Sequence, residues 1–196
     1  MIRILTVCTG NICRSPFAHL YLKHHLERVS PGNFEVASAG TYGLVGNAMD
    51  ERAAAKLVAS GVEPGDFVAR RLDEKLLKDP DFVLTLAEEH REAVVAAAPR
   101  MLKRAFTVRE FALVLRRIAE HDADRVPAGA DQADARWKAV FRLASLHRSE
   151  VRSQSGGDLD VVDPYRREDS VYDQMTQQLL PALEEIVAFE EAAASR

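Results

Sequence analysis

The sequence predicts an α/β fold built on a parallel sheet, because short apolar strands alternate with helices and turn residues separate them. The β-branched run at 2–7 is followed by a loop and a helix from Pro16 to about residue 28. A second run at 34–39 ends at Gly40, and a helix is expected at 49–60. Strands that alternate with helices in this way form parallel sheets, with helices on the faces.

The rest of the chain continues this alternation and then becomes helical. We expect strands at 81–86 and 102–106, and helices at 88–97, 107–120, 136–148 and 170–194. Thr107 and Glu110 have the spacing of a capping box, which favours a helix start there. The stretch 121–135 is rich in Asp, Ala, Gly and Pro and is expected to be an exposed connector. Pro181 is expected to kink the last helix.

Composition limits the classes of protein that fit. The 196 residues suffice for one domain, 1–196, and a net charge of -4 argues against nucleic acid as a partner. The two cysteines, Cys8 and Cys13, are too close together for a disulfide framework. No secretory signal or apolar stretch of membrane-spanning length is visible, so we expect no membrane span and a cytoplasmic protein.

The chemistry is expected in the segment between the first strand and the first helix, which reads Cys8-Thr9-Gly10-Asn11-Ile12-Cys13-Arg14-Ser15. Unpaired backbone N–H groups and the helix dipole make a helix start positive, and a curved loop there forms an anion-binding nest. Gly10 permits a tight turn, and Asn11 tolerates left-handed backbone. Arg14 offers a planar fork for two oxygens.

The same environment suits a nucleophilic cysteine. Positive surroundings favour the thiolate form of a cysteine, which is the reactive form. Ser15 is placed to donate a hydrogen bond to the Cys8 sulfur, which assists attack and later departure of the sulfur. Ligands of parallel α/β folds bind beyond the carboxyl ends of the strands, where Cys8 lies.

The string Cys8 to Ser15 followed by Pro16 resembles the phosphate-binding loop of the low-molecular-weight protein tyrosine phosphatases. Ser38-Ala39-Gly40-Thr41 is similar to the family's segment after its second strand, and Asp163-Pro164-Tyr165 is similar to its Asp-Pro loop. A helix bearing Tyr172 follows that loop, as in the family. The resemblance covers about residues 1–106 and 160–190.

The resemblance implies a three-layer, doubly wound sheet of four parallel strands, and hydrolysis of phosphotyrosine in protein substrates. Cys8 would attack phosphorus and form a phosphocysteine, and Asp163 would protonate the leaving oxygen. Arg14 would stabilise the transition state. No metal or cofactor is implied. Further substrate-binding residues would be the loop members and two aromatic residues, namely Thr9, Gly10, Asn11, Ile12, Cys13, Ser15, Tyr42 and Tyr165.

Three features stay open or depart from the family. Phe67 stands where the family often has a histidine that supports the loop, so that support is absent or made differently. About 109–159 is longer than usual and predicts a helical insertion: a packed helical pair, a lid, a docking arm or a dimer contact. Cys13 is either a buried small residue or a partner that protects Cys8 through a disulfide. The histidines, His90 among them, are expected to be solvated.

Two other functions compete with phosphatase activity. An arsenate reductase of the same fold also holds a tetrahedral oxyanion, but its thioredoxin-coupled forms need further cysteines, and none follows Cys13. Forms that rely on a small thiol need fewer cysteines and stay possible, although their loops usually lack the Asn-Ile-Cys-Arg-Ser-Pro string. A non-catalytic phosphotyrosine-binding relative needs neither a thiol nor an acid, so the joint presence of Cys8, Arg14 and Asp163 argues against it.

Overall fold

The centre of the protein is a four-stranded parallel sheet, seen in a computed structural model that describes residues 1–196. The strands are β1 (Ile2–Cys8), β2 (Phe34–Gly40), β3 (Phe82–Thr85) and β4 (Ala105–Thr107), in the spatial order β2-β1-β3-β4. The chain moves from β1 to β2 on one side and then crosses to β3 on the other side of β1. The carboxyl ends of β1 and β3 therefore form a topological switch point, where such sheets bind ligands.

Six helices surround the sheet: α1 (Arg14–Val29), α2 (Glu51–Ala59), α3 (Glu88–Ala97), α4 (Val108–His121), α5 (Ala133–Gln154) and α6 (Asp169–Ala194). Short 3₁₀ turns lie at Pro99–Met101, Ala123–Arg125 and Ala130–Gln132. Alternate β1 residues face opposite sides, with Ile4 in a large core and Leu5 in a small one. The large core holds 40 buried residues under α1, α4, α5 and α6, and the small one holds eight under α3. The predicted three-layer, doubly wound parallel sheet is confirmed.

Element bounds agree with the sequence where local signals are strong. The helix predicted at 88–97 has those bounds, and Thr107 and Glu110 form the reciprocal capping box at 3.2 and 3.3 Å. The fourth strand lies later than predicted, because the chain after Pro99 first forms a 3₁₀ turn. The helix predicted at 136–148 is extended by three residues at its start and by six at its end.

The stretch 109–159 packs as a helical pair, α4 and α5, on the face of the sheet that α1 and α6 also cover. Trp137 of α5 is fully buried, with ring centroids 5.4 Å from Phe82 and 6.1 Å from Phe111. Arg136 forms a completely buried ion pair with Glu190 of α6 at 2.8 Å. A buried pair of this kind needs all its hydrogen bonds satisfied, so it fixes how α5 and α6 meet. No helix combines the length and the apolar character that a bilayer span needs.

Candidate active site

In the loop between β1 and α1, residues 8–15 (the Cys loop), the first three carbonyl groups bind a neighbouring segment of the chain. The carbonyls of Cys8, Thr9 and Gly10 accept hydrogen bonds of 2.9–3.0 Å from backbone N–H groups in the segment 41–44. None of the backbone N–H groups of residues 9–13 donates a hydrogen bond within the protein. Because these groups are unpaired at the start of α1, they form a concave donor surface for an anion.

Gly40 allows the end of β2 to lie directly against the Cys loop. A Cβ atom at this position would lie 2.4 Å from the carbonyl oxygen of Thr9 and 2.9 Å from the backbone nitrogen of Asn11. Both contacts are with backbone, which cannot move aside as a flexible side chain can. The Ser38-Ala39-Gly40-Thr41 similarity noted in the sequence therefore has a steric reason.

Asn11 fixes the shape of the Cys loop from its buried side. Its backbone is left-handed, with a φ of 56°, and its side chain is completely buried. The amide donates to the Ser15 hydroxyl at 2.9 Å and accepts from the backbone N–H of Arg70 at 2.9 Å. Phe67 takes no part in this bond, so the support expected from a histidine is made differently, by the backbone at Arg70.

Ser15 connects this bracing to Cys8. Its hydroxyl lies 3.0 Å from the Cys8 sulfur and 3.4 Å from the carbonyl of Ala39. Since Asn11 already donates to the Ser15 oxygen, the hydroxyl proton is free for the nearer of these two acceptors, the sulfur. Asn11 and Ser15 were predicted to bind substrate through the loop. The structure places both side chains behind it, completely buried.

Arg14 and Asp163 meet above the Cys loop, although 149 positions separate them in the chain. The Arg14 Nη2 atom lies 2.8 Å from Asp163 Oδ2, and Nη1 donates to the carbonyl of Val161 at 3.1 Å. The Arg14 side chain is 4% exposed and that of Asp163 is 50% exposed. The Nε atom of Arg14 is buried without a partner, so the guanidinium keeps donors for a ligand.

These residues line a cavity of about 200 Å³ with Cys8 at its base. Its wall residues are Cys8, Thr9, Gly10, Ile12, Cys13, Arg14, Tyr42, Leu44, Asp163 and Tyr165. Thr9, Arg14 and Asp163 supply polar side chains, and Ile12, Leu44 and the two tyrosines supply apolar walls. Tyr42 is 73% exposed and Tyr165 is 37% exposed, so both stand at the mouth.

Cys13 differs from Cys8 in its surroundings. It is buried at the start of α1, and both cysteines are free thiols. Burial raises the pKa of the Cys13 thiol well above its usual range, and the negative charges of Asp50 and Cys8 add to this. Cys13 therefore remains a protonated thiol near neutral pH. The disulfide with Cys8 stays a prediction.

The sequence analysis missed His90, which was expected to be solvated and is 1% exposed. Its Nε2 atom lies 2.9 Å from Thr9 Oγ1, so it contacts the Cys loop from α3. One signal was available in the sequence: His90 lies in the first turn of the helix that follows β3, beside the switch point of the sheet. His19 of α1 lies 3.2 Å from the hydroxyl of Ser38.

The fold and the site together define an α/β protein with an anion-binding loop that presents a cysteine. The family described as low molecular weight phosphotyrosine protein phosphatase matches residues 3–126. The chain therefore belongs to this family, and the resemblance found in the sequence is confirmed. The match ends before Asp163, so the geometry above is what connects that residue to the site.

Several curated proteins are similar to about half of the chain. The low molecular weight protein-tyrosine-phosphatase Ptp of Acinetobacter johnsonii is 32% identical over 96 residues, which are 49% of this chain and 64% of the relative. The proteins Etp of Escherichia coli and Wzb of Salmonella typhimurium, of the same description, are 38% identical over 98 and 99 residues, or 50% of this chain and 63% of each relative. The chain thus spans less than two thirds of the length of these relatives.

Solved structures match the fold over almost the whole chain. The tyrosine phosphatase AmsI of Erwinia amylovora has a TM-score of 0.66 at 23% identity, covering 100% of this chain and 95% of its own. The YwlE arginine phosphatase of Geobacillus stearothermophilus also has a TM-score of 0.66 at 23% identity, covering 96% and 92%. At this identity the likeness establishes the architecture and leaves the substrate open.

Proposed function

We propose that this protein hydrolyses phosphotyrosine in protein substrates, in two steps through a phosphocysteine. The observation that carries the proposal is the convergence of Cys8, the unpaired N–H groups of residues 9–13, and the Arg14–Asp163 pair on one cavity. A nucleophile, an oxyanion cradle and a candidate acid thus face one another. Family membership supports the same reaction.

In the first step the Cys8 thiolate attacks phosphorus, and the bond from phosphorus to the tyrosyl oxygen breaks. Asp163 gives its proton to that oxygen, so the product leaves as neutral tyrosine. The N–H groups and Arg14 bind the phosphoryl oxygens, whose charge is spread in the transition state. In the second step Asp163 accepts a proton from water, which attacks the phosphocysteine and releases inorganic phosphate and the Cys8 thiolate.

The cavity favours an aromatic substrate. Cys8 is only 2% exposed, so a phosphate has to reach the base on a long side chain. The apolar walls formed by Leu44, Tyr42 and Tyr165 suit a ring, because aromatic rings gain from offset or edge contacts. Phosphoserine is shorter and has no ring to fill this space.

The test is hydrolysis of matched peptides carrying phosphotyrosine, phosphoserine or phosphoarginine, by the wild type, Cys8→Ser and Asp163→Asn. We expect turnover of the phosphotyrosine peptide, none for Cys8→Ser, and a loss of roughly 10²–10⁴-fold for Asp163→Asn. Asp158→Asn is the matched control, since Asp158 lies on the same loop with its side chain 83% exposed.

Other outcomes assign other functions. Faster turnover of the phosphoarginine peptide would make the protein an arginine phosphatase, the activity by which two of its structural neighbours are described. Thiol-dependent reduction of arsenate without peptide hydrolysis would identify an arsenate reductase. Retained binding of the phosphotyrosine peptide with no turnover in reduced wild-type protein would leave a binding module.

A further inference from the structure

A buried histidine contacts the first residue after the nucleophile. His90 Nε2 lies 2.9 Å from the hydroxyl oxygen of Thr9, and Nδ1 is buried with no hydrogen-bond partner. Thr9 in turn lines the cavity next to Cys8. The contact joins α3, which follows β3, to the Cys loop, which follows β1.

The ring of His90 is neutral under working conditions. Burial and the nearby charge of Arg14 lower the pKa of His90 to about 3. A neutral imidazole carries one proton, on either Nδ1 or Nε2, and the position of that proton decides the direction of the hydrogen bond to Thr9.

The surroundings favour the proton on Nε2. A proton on Nδ1 would be a buried N–H donor without an acceptor, a situation that is rare in proteins. With the proton on Nε2, His90 donates to the Thr9 oxygen at 2.9 Å, which is nearer to Nε2 than the Glu89 carboxylate at 3.3 Å. Arg14 Nη2 also donates to that oxygen, at 3.4 Å.

Two donors on the Thr9 oxygen leave the hydroxyl's own proton free. No protein acceptor lies within hydrogen-bond distance of this hydroxyl apart from His90, whose Nε2 is used as a donor. The O–H bond is therefore available to an acceptor in the cavity. An oxyanion at the base of the cavity is such an acceptor, and a hydrogen bond to a charged group is stronger than one between neutral groups.

We propose that the Thr9 hydroxyl is a further phosphate-binding donor and that His90 is the positioning residue that directs it. The ligand class is a tetrahedral phosphate, either inorganic or part of a substrate. The inference rests on the proposed function only in taking the Cys loop as a phosphate site. It adds a side-chain donor to the backbone donors of residues 9–13.

The experiment measures the dissociation constant of inorganic orthophosphate by titration calorimetry on the intact, reduced protein. We expect Thr9→Val, which keeps the shape and removes the hydroxyl, to weaken binding about tenfold. Thr9→Ser keeps the hydroxyl and should bind within about twofold of the wild type. Orthophosphate has no leaving group, so this readout does not depend on turnover.

The role of His90 is tested by a variant that should restore binding and by a double variant with Thr9→Val. We expect His90→Leu to weaken binding about fivefold, and His90→Gln to restore it, because the glutamine amide offers a donor at a similar reach. In the Thr9→Val background, His90→Leu should cause no further loss, because a positioning residue acts only through its partner. His121→Leu, on an exposed histidine at the end of α4, is the control.

Three results would overturn the inference. They are Thr9→Val binding orthophosphate as tightly as the wild type, His90→Gln binding it as weakly as His90→Leu while melting normally, and the two losses adding in the double variant. Failure of the proposed function gives a different result, in which turnover is absent while this pattern of orthophosphate binding is intact.

Discussion

The two sides of the cavity are held in different ways. The Cys loop is fixed mainly by backbone hydrogen bonds and by completely buried side chains such as Asn11 and Ser15. The acid loop, residues 158–165, reaches the cavity with the Asp163 side chain half exposed. The Cys-loop side is part of the core, whereas the acid-loop side lies at the surface.

The acid loop is attached at a few points. The Asp160 carboxylate accepts from the backbone N–H of Glu88 at 2.7 Å, and its carbonyl accepts from Arg109 at 2.8 Å. Val161 donates to the carbonyl of Leu86 at 2.8 Å. The two sides therefore differ in attachment: buried groups brace the Cys loop, whereas a few hydrogen bonds hold the acid loop, which meets the Cys-loop side at Arg14.

Breaking the Cys-loop side should have the largest effect. Asn11→Ala removes two buried hydrogen bonds, leaves the Arg70 N–H without its partner, and places alanine in left-handed backbone. We expect a loss of about 3 kcal/mol in the free energy of unfolding. Denaturant titration measures it, with Asn47→Ala, at an exposed position, as the control. A loss below about 1 kcal/mol would show that the loop is not braced by Asn11.

The second largest effect is expected at acid pH, which should lower the free energy of unfolding through the Cys-loop side. The pKa of His90 is lowered to about 3 in the folded protein, mainly by burial and then by Arg14, while Glu89 lies 3.3 Å away on the exposed side. A lowered pKa gives stability that is complete above the unfolded value of about 6.5 and is lost as the pH falls toward 3.

The measurement compares the wild type with His90→Gln, which cannot take up this proton. Between pH 6.5 and pH 4.5 the wild type should lose roughly 2 kcal/mol more unfolding free energy than the variant. Burial also lowers the pKa of His19, to about 4, so both proteins should retain some acid sensitivity. Equal losses in the two proteins would mean that His90 takes up its proton in the folded state without cost.

A smaller effect is expected on the acid-loop side. Asp160→Ala removes the carboxylate that caps the start of α3, which costs about 1 kcal/mol of stability. It also frees the loop that carries Asp163, so kcat should fall about fivefold, and more for substrates with poor leaving groups. Orthophosphate affinity should not change. Asp158→Ala is the matched control, and equal kcat values for the two variants would contradict the anchoring role.

The smallest effect is expected at the mouth. Tyr165 is partly covered, with the Arg166 guanidinium 5.1 Å from its ring centre, whereas Tyr42 is mostly exposed. Tyr165→Ala should lower kcat/KM for a phosphotyrosine peptide about threefold, and Tyr42→Ala less than twofold. The reverse order, measured on the same peptide, would place the substrate ring against Tyr42.

The Cys-loop side was largely predictable because its signals are contiguous. A β-branched strand, the string from Cys8 to Ser15, and Pro16 together predict the strand, loop and helix, and Thr107 with Glu110 predicts the start of α4. The polar bracing behind the loop depends on Arg70, whose contribution is a backbone N–H. Side-chain identity carries no information about such a bond, so the sequence could not reveal it.

The acid side and the buried polar groups were harder to predict. Nothing local indicates that Asp163 lies 2.8 Å from Arg14, and only the family resemblance suggested it. His90 lies among charged residues, a context that indicates solvent exposure, yet the fold turns it inward. Arg136 is a similar case, since it is completely buried against Glu190, a partner 54 positions away.

The partners of Arg14 also set an order of events during synthesis. Arg14 leaves the ribosome early, but the carbonyl of Val161 and the carboxylate of Asp163 emerge about 150 residues later. Until then the growing chain already holds the whole Cys loop while this guanidinium lacks its acceptors. A chain that ends near residue 150 therefore contains Cys8 and the whole Cys loop but neither of these two acceptors of Arg14.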